Sequence, residues 1–181
     1  MSEMSEQKRL AYADPPYIGQ ARRHYQMPEV DHEALIKKLI LYDGWALSAS
    51  STSLKEILAY CPPEIRIAAW VKPFAFFHRG TRGHPPFAWE PVIFVSARPQ
   101  QRTPKGIRDW LSANAFGVTP AERTWGKERK TGGIKPPAFC QWLFCLLGAK
   151  PNDSFDDLFP GSRMVSEQWK RWLSQQEQED E

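Results

Sequence analysis

Four consecutive residues, Asp14, Pro15, Pro16 and Tyr17, have the chemical groups needed to hold a planar amino group. The prolines fix the backbone angle φ and remove N–H donors, which leaves carbonyls free to accept hydrogen bonds. The exocyclic amino group of a nucleic-acid base needs such acceptors, and the Asp14 carboxylate and the Pro15 carbonyl can supply them while Tyr17 stacks on the base. The alternative interpretation is a proline turn with a packing tyrosine.

A second segment whose residues could do chemistry lies near the C-terminal end, where a strand is predicted from Ser154 to Phe159. Asp157 belongs to this segment, and Gly161-Ser162 form the turn that follows it. In open α/β sheets, ligands bind just beyond the carboxyl ends of strands. Asp14 also follows a predicted strand, so both segments are candidates for a ligand site.

The elements that must position these residues alternate between strands and helices. Apolar runs predict strands over residues 10–13, 45–48, 65–71, 92–95 and 154–159. Helical spacing predicts helices over residues 31–42, 51–58, 106–113, 137–147 and 164–173. Asp31 is the expected N-cap of the first helix, and Pro137 stands at a favoured first position. Alternation with nearly continuous apolar strands predicts an α/β fold with a mostly parallel sheet and helices on both faces.

Four ordered motifs resemble one enzyme family. Ala13-Asp14-Pro15-Pro16-Tyr17 resembles the catalytic motif of amino-methyltransferases that act on adenine in nucleic acid. Asn152 to Ser162 resembles the cofactor-binding signature of the same superfamily, and Lys135-Pro136 with the following apolar helix is similar to the element that precedes it. Trp70 to Pro73 and Ala88 to Ile93 resemble the strand pair beyond the catalytic loop. The order resembles the permuted beta class of DNA amino-methyltransferases and the related MT-A70 branch.

The resemblance implies a Rossmann-like methyltransferase sheet, S-adenosylmethionine as cofactor, and no metal. It implies direct methyl transfer to the amino group of a base flipped from the stack, and favours N6 of adenine in DNA. Asp14, Pro15, Pro16 and Tyr17 would be the catalytic residues. The residues implied for cofactor binding are Ala13, Lys135, Pro136, Asp157, Phe159, Gly161 and Ser162.

Two features depart from the family pattern. Arg163 stands where the signature has its final glycine, and an arginine is costly there if the backbone needs a positive φ or lies at contact distance from the cofactor. Only Met164 to Leu173 follow as a predicted element before an acidic tail, so we expect a truncated sheet with an open edge. A partner chain, such as a second copy, would cover that edge, or cofactor affinity would be weak.

Basic residues indicate a polyanionic partner. The net charge is +3, but the last five residues carry four acidic side chains and no basic one, so residues 1–176 carry +7 (24 basic minus 17 acidic). Phenylalanines between residues 74 and 84 could stack on unpaired bases. The candidate nucleic-acid contacts are Arg22, Arg23, His24, Lys72, Arg79, Arg82 and His84. The alternatives are a solvated basic face and phenylalanines that pack internally.

The bulk of the chain predicts one domain over residues 9–173, between a loose leader at 1–8 and a disordered acidic tail at 174–181. No apolar run approaches the roughly 18 residues needed to cross a bilayer, and residues 1–8 lack an apolar signal core. Three cysteines, an odd and sparse count, predict reduced thiols. We expect a cytoplasmic protein, encoded by a bacterium or a phage. The four histidines show no metal-ligand spacing.

Two rival interpretations stay open. One is a methyltransferase-fold protein that binds nucleic acid, or a catalytic partner, without transferring methyl groups. The other keeps the enzyme and changes the target to cytosine N4 or to adenine in RNA.

Overall fold

The structure is a computed structural model that describes residues 6–21, 28–73, 87–99, 106–114 and 135–179. Its strands are β1 (Arg9–Ala13), β2 (Gly44–Ser48), β3 (Arg66–Val71), β4 (Trp89–Val95), β5 (Trp110–Ser112) and β6 (Ser154–Asp157). Its helices are α1 (His32–Leu39), α2 (Leu54–Leu58), α3 (Pro137–Leu147) and α4 (Met164–Glu179). Within these ranges, no helix combines the length and the apolar character that spanning a membrane requires.

The six described strands form one sheet in the order β5-β3-β4-β2-β1-β6. β1 is parallel to both β2 and β6, and β3 is parallel to β5. β4 is antiparallel to its neighbours β2 and β3. Five of these six strands therefore point the same way, which confirms the expected mostly parallel sheet and places their carboxyl ends at one edge.

Helices cover both faces of the sheet because successive strand residues point to opposite sides. On one face, Phe139 and Leu143 of α3 pack with Tyr12 of β1 and with Trp169 of α4. The opposite face buries Ala11 and Ala13 of β1, together with Trp45 and Leu47, against α1 and α2. The prediction of helices on both faces is confirmed.

Local signals fix the helix ends. The Asp31 carboxylate accepts a hydrogen bond from the Ala34 N–H at 2.9 Å, as expected of an N-cap. Pro137 begins α3, and Gly148 ends it with a φ of 67°, a left-handed conformation that glycine adopts without steric cost. α3 thus runs back from the edge where the parallel strands end, and its N-terminus stays close to that edge.

The helix predicted over residues 106–113 is wrong. Trp110 to Ser112 instead form β5, in which Trp110 pairs with Ala69 of β3. The indole N–H of Trp70 donates to the Ala113 carbonyl at 3.0 Å, and that of Trp142 donates to the Arg108 carbonyl at 2.9 Å. These tertiary contacts override the weak local preference for helix.

The predicted chain ends also differ from the structure. α4 continues to Glu179, beyond residue 174 where the sequence predicted the tail to begin, and this glutamine-rich stretch has good helix propensity. Lys8, placed in the loose leader, donates its N–H to Asp153 Oδ1 at 2.8 Å and accepts from the Ser154 N–H at 3.0 Å. The sheet ladder therefore begins before β1.

A buried ion pair closes the edge opposite the carboxyl ends. The guanidinium of Arg98 contacts both Asp153 oxygens at 2.6 and 2.7 Å, and the backbone N–H groups of Lys8 and Lys150 donate to the same carboxylate. Burial alone would raise the pKa of Asp153, but Arg98 and these N–H groups outweigh it and hold that pKa below the usual value. The pair joins the starts of β1 and β6.

Candidate active site

Asp14 and Asp157 reach the same edge of the sheet because they follow or end neighbouring parallel strands. In the register, Tyr12 of β1 pairs with Asp157 of β6, and the Leu158 N–H donates to the Tyr12 carbonyl at 2.9 Å. Asp14 follows Ala13, the last residue of β1. The structure therefore brings together the two strand ends that the sequence singled out as candidates for a ligand site.

Four charged side chains form a chain of contacts at this edge. The Lys135 ammonium lies 3.1 Å from Asp14 Oδ1 and also contacts Glu90 Oε1. Lys72 Nζ lies 2.7 Å from the other oxygen of Glu90. The side chains of Lys135 and Glu90 are each only 4% exposed, so this pairing is made away from water. Asp14 is thus linked through Lys135 and Glu90 to Lys72.

The electrostatics of this cluster favour opposite behaviour in its two carboxyl groups. Burial raises the pKa of Asp14 to about 6; the nearby Glu90 charge adds to the rise, and Lys135 opposes it. Burial also acts to raise the pKa of Glu90, but the ammonium groups of Lys135 and Lys72 outweigh it and lower that pKa to about 2. Burial disfavours the Lys135 cation, yet Asp14 and Glu90 raise its pKa. These pKa values keep Glu90 ionised at neutral pH and bring the pKa of Asp14 closer to neutrality.

Aromatic rings surround the ammonium of Lys135. It lies 5.1 Å from the centre of the Trp70 ring and 5.4 Å from that of Phe139, both within cation–π range. The Tyr12 hydroxyl shares a 2.8 Å hydrogen bond with Ser48 Oγ beneath them, and burial raises the pKa of Tyr12 well above its usual value. Tyr12, Trp70 and Phe139 are themselves buried, so the ammonium of Lys135 is shielded from water.

The second strand end has an unsatisfied acceptor. Asp157 Oδ2 accepts a hydrogen bond from Ser166 Oγ at 2.9 Å, whereas Oδ1 is buried and has no hydrogen-bond partner within the described part of the chain. Burial raises the pKa of this carboxyl, and the Ser166 hydroxyl and the backbone N–H groups of Phe159 and Ser166 oppose the rise. A buried acceptor without a donor is costly, and the site therefore suits a ligand that brings a donor group.

Gly161 borders open space. A Cβ atom added there would meet no atom closer than the Phe159 carbonyl oxygen at 3.8 Å, and its φ is not in the left-handed region. Internal packing in the described structure therefore does not require a glycine at this position. Open space at this turn fits the close approach of a bound molecule.

Arg163 adopts a φ of 60°, the left-handed conformation that L-residues other than glycine rarely adopt. Its carbonyl accepts from the Glu167 N–H at 2.9 Å in the first turn of α4, and its N–H donates to the Pro160 carbonyl. A positive φ is one of the two conditions under which an arginine is costly at this position, and the structure shows that this condition is met. The arginine therefore strains the turn between β6 and α4.

The remaining catalytic and cofactor candidates lie around these strand ends. Pro15 is buried, and Pro16 and Tyr17 are half-buried. Ala13 packs inside the core formed with α1 and α2, and Phe159 packs against the rim of that core. Pro136 is the buried N-cap residue of α3. Ser162 is exposed, and its hydroxyl accepts from the Met164 N–H at 3.4 Å.

Of the predicted nucleic-acid contacts, one lies in the described structure. Lys72 is bound to Glu90, and its ammonium lies 4.2 Å from the Trp70 ring centre, so it is mainly engaged inside the protein. The others lie outside the described residues: Arg22, Arg23, His24, Arg79, Arg82 and His84.

A separate cleft of about 540 Å³ opens beyond Tyr17, starting at Ile18 and Gly19. Its lining includes four carboxylates, those of Glu29, Asp31, Glu33 and Glu56. This concentration of negative charge disfavours phosphate groups. The cleft is therefore a poor path for nucleic acid.

Within the described ranges, the side chains do not indicate a metal site or a reactive thiol. They contain no group of three or more His, Cys, Asp or Glu side chains placed to hold a metal ion. Burial raises the pKa of the Cys140 thiol to about 12 and that of Cys61 to about 11, so neither is a reactive thiolate at neutral pH.

Sequence reasoning missed Glu90. The apolar run predicted a strand only from Val92, and Glu90 was given no role although it lies in the segment that resembles the family's strand pair. In the structure β4 begins at Trp89 and buries Glu90 beside Trp70. The available signal was a carboxylate adjoining an apolar run, because such a group needs a cationic partner once the strand is buried.

No protein-family model and no curated protein matches this sequence. Solved structures do match. The crystal structure of the M1.HpyAVI-SAM complex superposes with a TM-score of 0.54 and 15% identity, over 91% of this chain and 78% of that one. The crystal structure of M1.HpyAVI gives a TM-score of 0.56 and 15% identity, over 91% and 77%. This chain has the same fold. The expected α/β, Rossmann-like methyltransferase fold is thereby confirmed.

Proposed function

We propose that this protein is an S-adenosylmethionine-dependent methyltransferase that acts on the exocyclic amino group of a nucleic-acid base, and that the base is adenine, modified at N6, in DNA. The observation that carries the proposal is the pairing of two strand ends on one edge. One presents the Asp14 carboxylate, and the neighbouring one presents a buried Asp157 oxygen without a donor.

The residues at the first strand end would bind and orient the amino group. Lys135 contacts Asp14 Oδ1, which leaves Oδ2 to accept an N–H of the base, and the Pro15 carbonyl would accept the second N–H. Tyr17 would stack on the base. The nitrogen must lose a proton as it gains a methyl group, and Asp14, with a pKa of about 6, is a suitable acceptor.

The second strand end would hold the cofactor, which supplies an electrophilic methyl group when bound. Asp157 Oδ1 would accept a donor from the cofactor, and Gly161 would allow it to approach the backbone. Ala13, Pro136, Phe159 and Ser162 would complete the walls. The M1.HpyAVI structure solved with SAM, which has this fold, supports the choice of cofactor. Lys135 was predicted to bind cofactor, but its ammonium contacts favour a role at Asp14.

The surplus of basic residues outside the acidic tail favours a polyanionic substrate. We propose that Arg22, Arg23, His24, Arg79, Arg82 and His84 contact its phosphates. Among the described strands, β6 pairs only with β1, so a second copy is proposed to cover its outer edge. A monomer by analytical ultracentrifugation, with and without DNA, would contradict that assembly.

Calorimetric titration with S-adenosylmethionine is the first test, with Gly161→Val as the variant that should lose binding. Transfer of a labelled methyl group is then measured on duplex DNA, single-stranded DNA and RNA, with the modified base identified by mass spectrometry. Asp14→Ala should abolish transfer and keep cofactor binding. Full activity in Asp14→Ala would refute the catalytic assignment, and methyl groups found on cytosine N4 or on RNA would correct the substrate.

A second candidate function is favoured by Arg163, whose backbone conformation strains the proposed cofactor turn. In this view the chain is a nucleic-acid-binding scaffold or a partner subunit with no transfer of its own. Absence of cofactor binding in both the natural chain and Arg163→Gly, with DNA present, would establish this candidate over the enzyme.

A further inference from the structure

Glu90 occupies the centre of the charge cluster. Its Oε1 faces Lys135 and its Oε2 faces Lys72, so that one buried carboxylate holds two ammonium groups in place. The antiparallel direction of β4 is the reason for its position. β4 begins at the edge where β2 and β3, which run in the opposite direction, end, and Glu90 lies beside Trp70 in the register.

Lys135 is shared between two carboxylates. An ammonium group that bound only Asp14 would neutralise the Asp14 charge fully. It would also donate its hydrogen bonds to Asp14 alone. The Glu90 contact draws Lys135 to a position between the two groups, with Asp14 Oδ1 at 3.1 Å. Asp14 is 23% exposed at its side chain and Glu90 only 4%, so Asp14 alone of the two retains access to a substrate.

We propose that Glu90 and Lys72 are positioning residues, which hold Lys135 between Glu90 and Asp14 and so set the ionisation and orientation of the Asp14 carboxylate. The effect on methyl transfer rests on the function proposed above. The effect on Asp14 itself does not, and can be measured in the protein without any substrate.

The two positioning residues act on Asp14 with opposite signs. The negative charge of Glu90 raises the pKa of Asp14, and the positive charges of Lys135 and Lys72 lower it. Tyr12, from β1, is also coupled electrostatically to Asp14, and burial keeps the Tyr12 hydroxyl protonated. Removal of Glu90 should therefore lower the pKa of Asp14, whereas removal of Lys72 should raise it.

The experiment follows the Asp14 carboxyl carbon by ¹³C NMR from pH 4 to 8, with its signal assigned by its loss in Asp14→Asn. The natural chain should titrate near pH 6. Glu90→Gln should shift the midpoint down by about one unit, the size expected of a nearby like charge. Lys72→Met should shift it up, and this variant preserves the measurement if Glu90→Gln does not fold, because Lys72 is partly exposed.

Asp153→Asn is the matched control, because it breaks a buried carboxylate pair at the opposite edge of the sheet. It should lower stability without moving the Asp14 midpoint. If the protein transfers methyl groups, the acidic limb of the pH profile of the transfer rate should move with the NMR midpoint of Asp14 in each variant.

An unchanged midpoint in both test variants, or shifts in the same direction, would overturn the proposal. So would a loss of transfer in both with no movement of the titration, since that is the behaviour of a purely structural pair. If the two variants shift the Asp14 midpoint in opposite directions but the natural chain transfers no methyl group to DNA or RNA, the positioning proposal is supported and the proposed function is refuted.

Discussion

Replacement of Arg163 by glycine should stabilise the protein. Arg163 has a φ of 60° in the turn that leads into α4, and its side chain is exposed. Both backbone hydrogen bonds of the residue, to the Pro160 carbonyl and from the Glu167 N–H, are kept by any amino acid except proline. The substitution therefore removes strain and leaves the bonding of the turn intact.

The size of the gain follows from two opposing terms. A left-handed conformation costs an L-residue about 1–2 kcal/mol through the approach of Cβ to the following carbonyl oxygen. Glycine has more freedom in the unfolded chain, which offsets about 0.4–1 kcal/mol. The net expectation is an increase of about 0.5–1 kcal/mol in the free energy of unfolding, equivalent to a rise of roughly 1–4 °C in Tm for a chain of this size.

Urea unfolding followed by circular dichroism measures this difference, with Arg163→Ala as the control. Alanine removes the same charge and the same long side chain but keeps Cβ, so it should stay within about 0.5 kcal/mol of the natural chain. Equal stability of the glycine and alanine variants would refute the reasoning, because the effect would then come from the side chain and not from φ.

Two further substitutions test the packing of the sheet. Gly44→Ala should lower the free energy of unfolding in urea by about 1–3 kcal/mol, because its Cβ would lie 2.7 Å from the Ala97 backbone nitrogen. Gly161→Ala is the control, since its Cβ would lie 3.8 Å from the nearest atom and should change the free energy little. Similar losses in the two variants would contradict the packing argument. Asp153→Ala should cost roughly 3 kcal/mol at pH 7, because it leaves Arg98 unpaired. The pKa of Asp153 in the folded protein lies below 3.8, so the contribution of this carboxylate to the free energy of unfolding is present above pH 3.8 and is lost as the pH falls through the lower folded value. If Asp153→Ala costs as much stability at about pH 2 as at pH 7, the ion pair is not the cause of the loss.

The parts of the fold that follow from local chemistry could be predicted from the sequence. β1 stops at Asp14-Pro15-Pro16, where two prolines cannot continue a central strand. Asp31 caps α1 through its own side chain, and Pro137 begins α3. Each of these signals acts over a few residues, and the structure places all three as expected.

The features that could not be predicted depend on partners distant in the sequence. β5 is a strand because it pairs with β3, and nothing in its three residues requires it. Glu90 is a buried charge whose ammonium partners are 18 and 45 residues away, at Lys72 and Lys135. Its burial follows from the direction of β4, which no local pattern indicates.

The pairing of β1 with β6 has a consequence for synthesis of the chain. Lys8 and its partner Asp153 are 145 residues apart, so β1 leaves the ribosome long before the strand that completes its second side. At about 5–20 residues per second the interval is roughly 7–30 s. Throughout it, the apolar segment from Leu10 to Ala13 has one row of unpaired backbone groups, which is a template for association between nascent chains. Slow translation of the 100 residues before β6 should therefore lower the yield of folded protein.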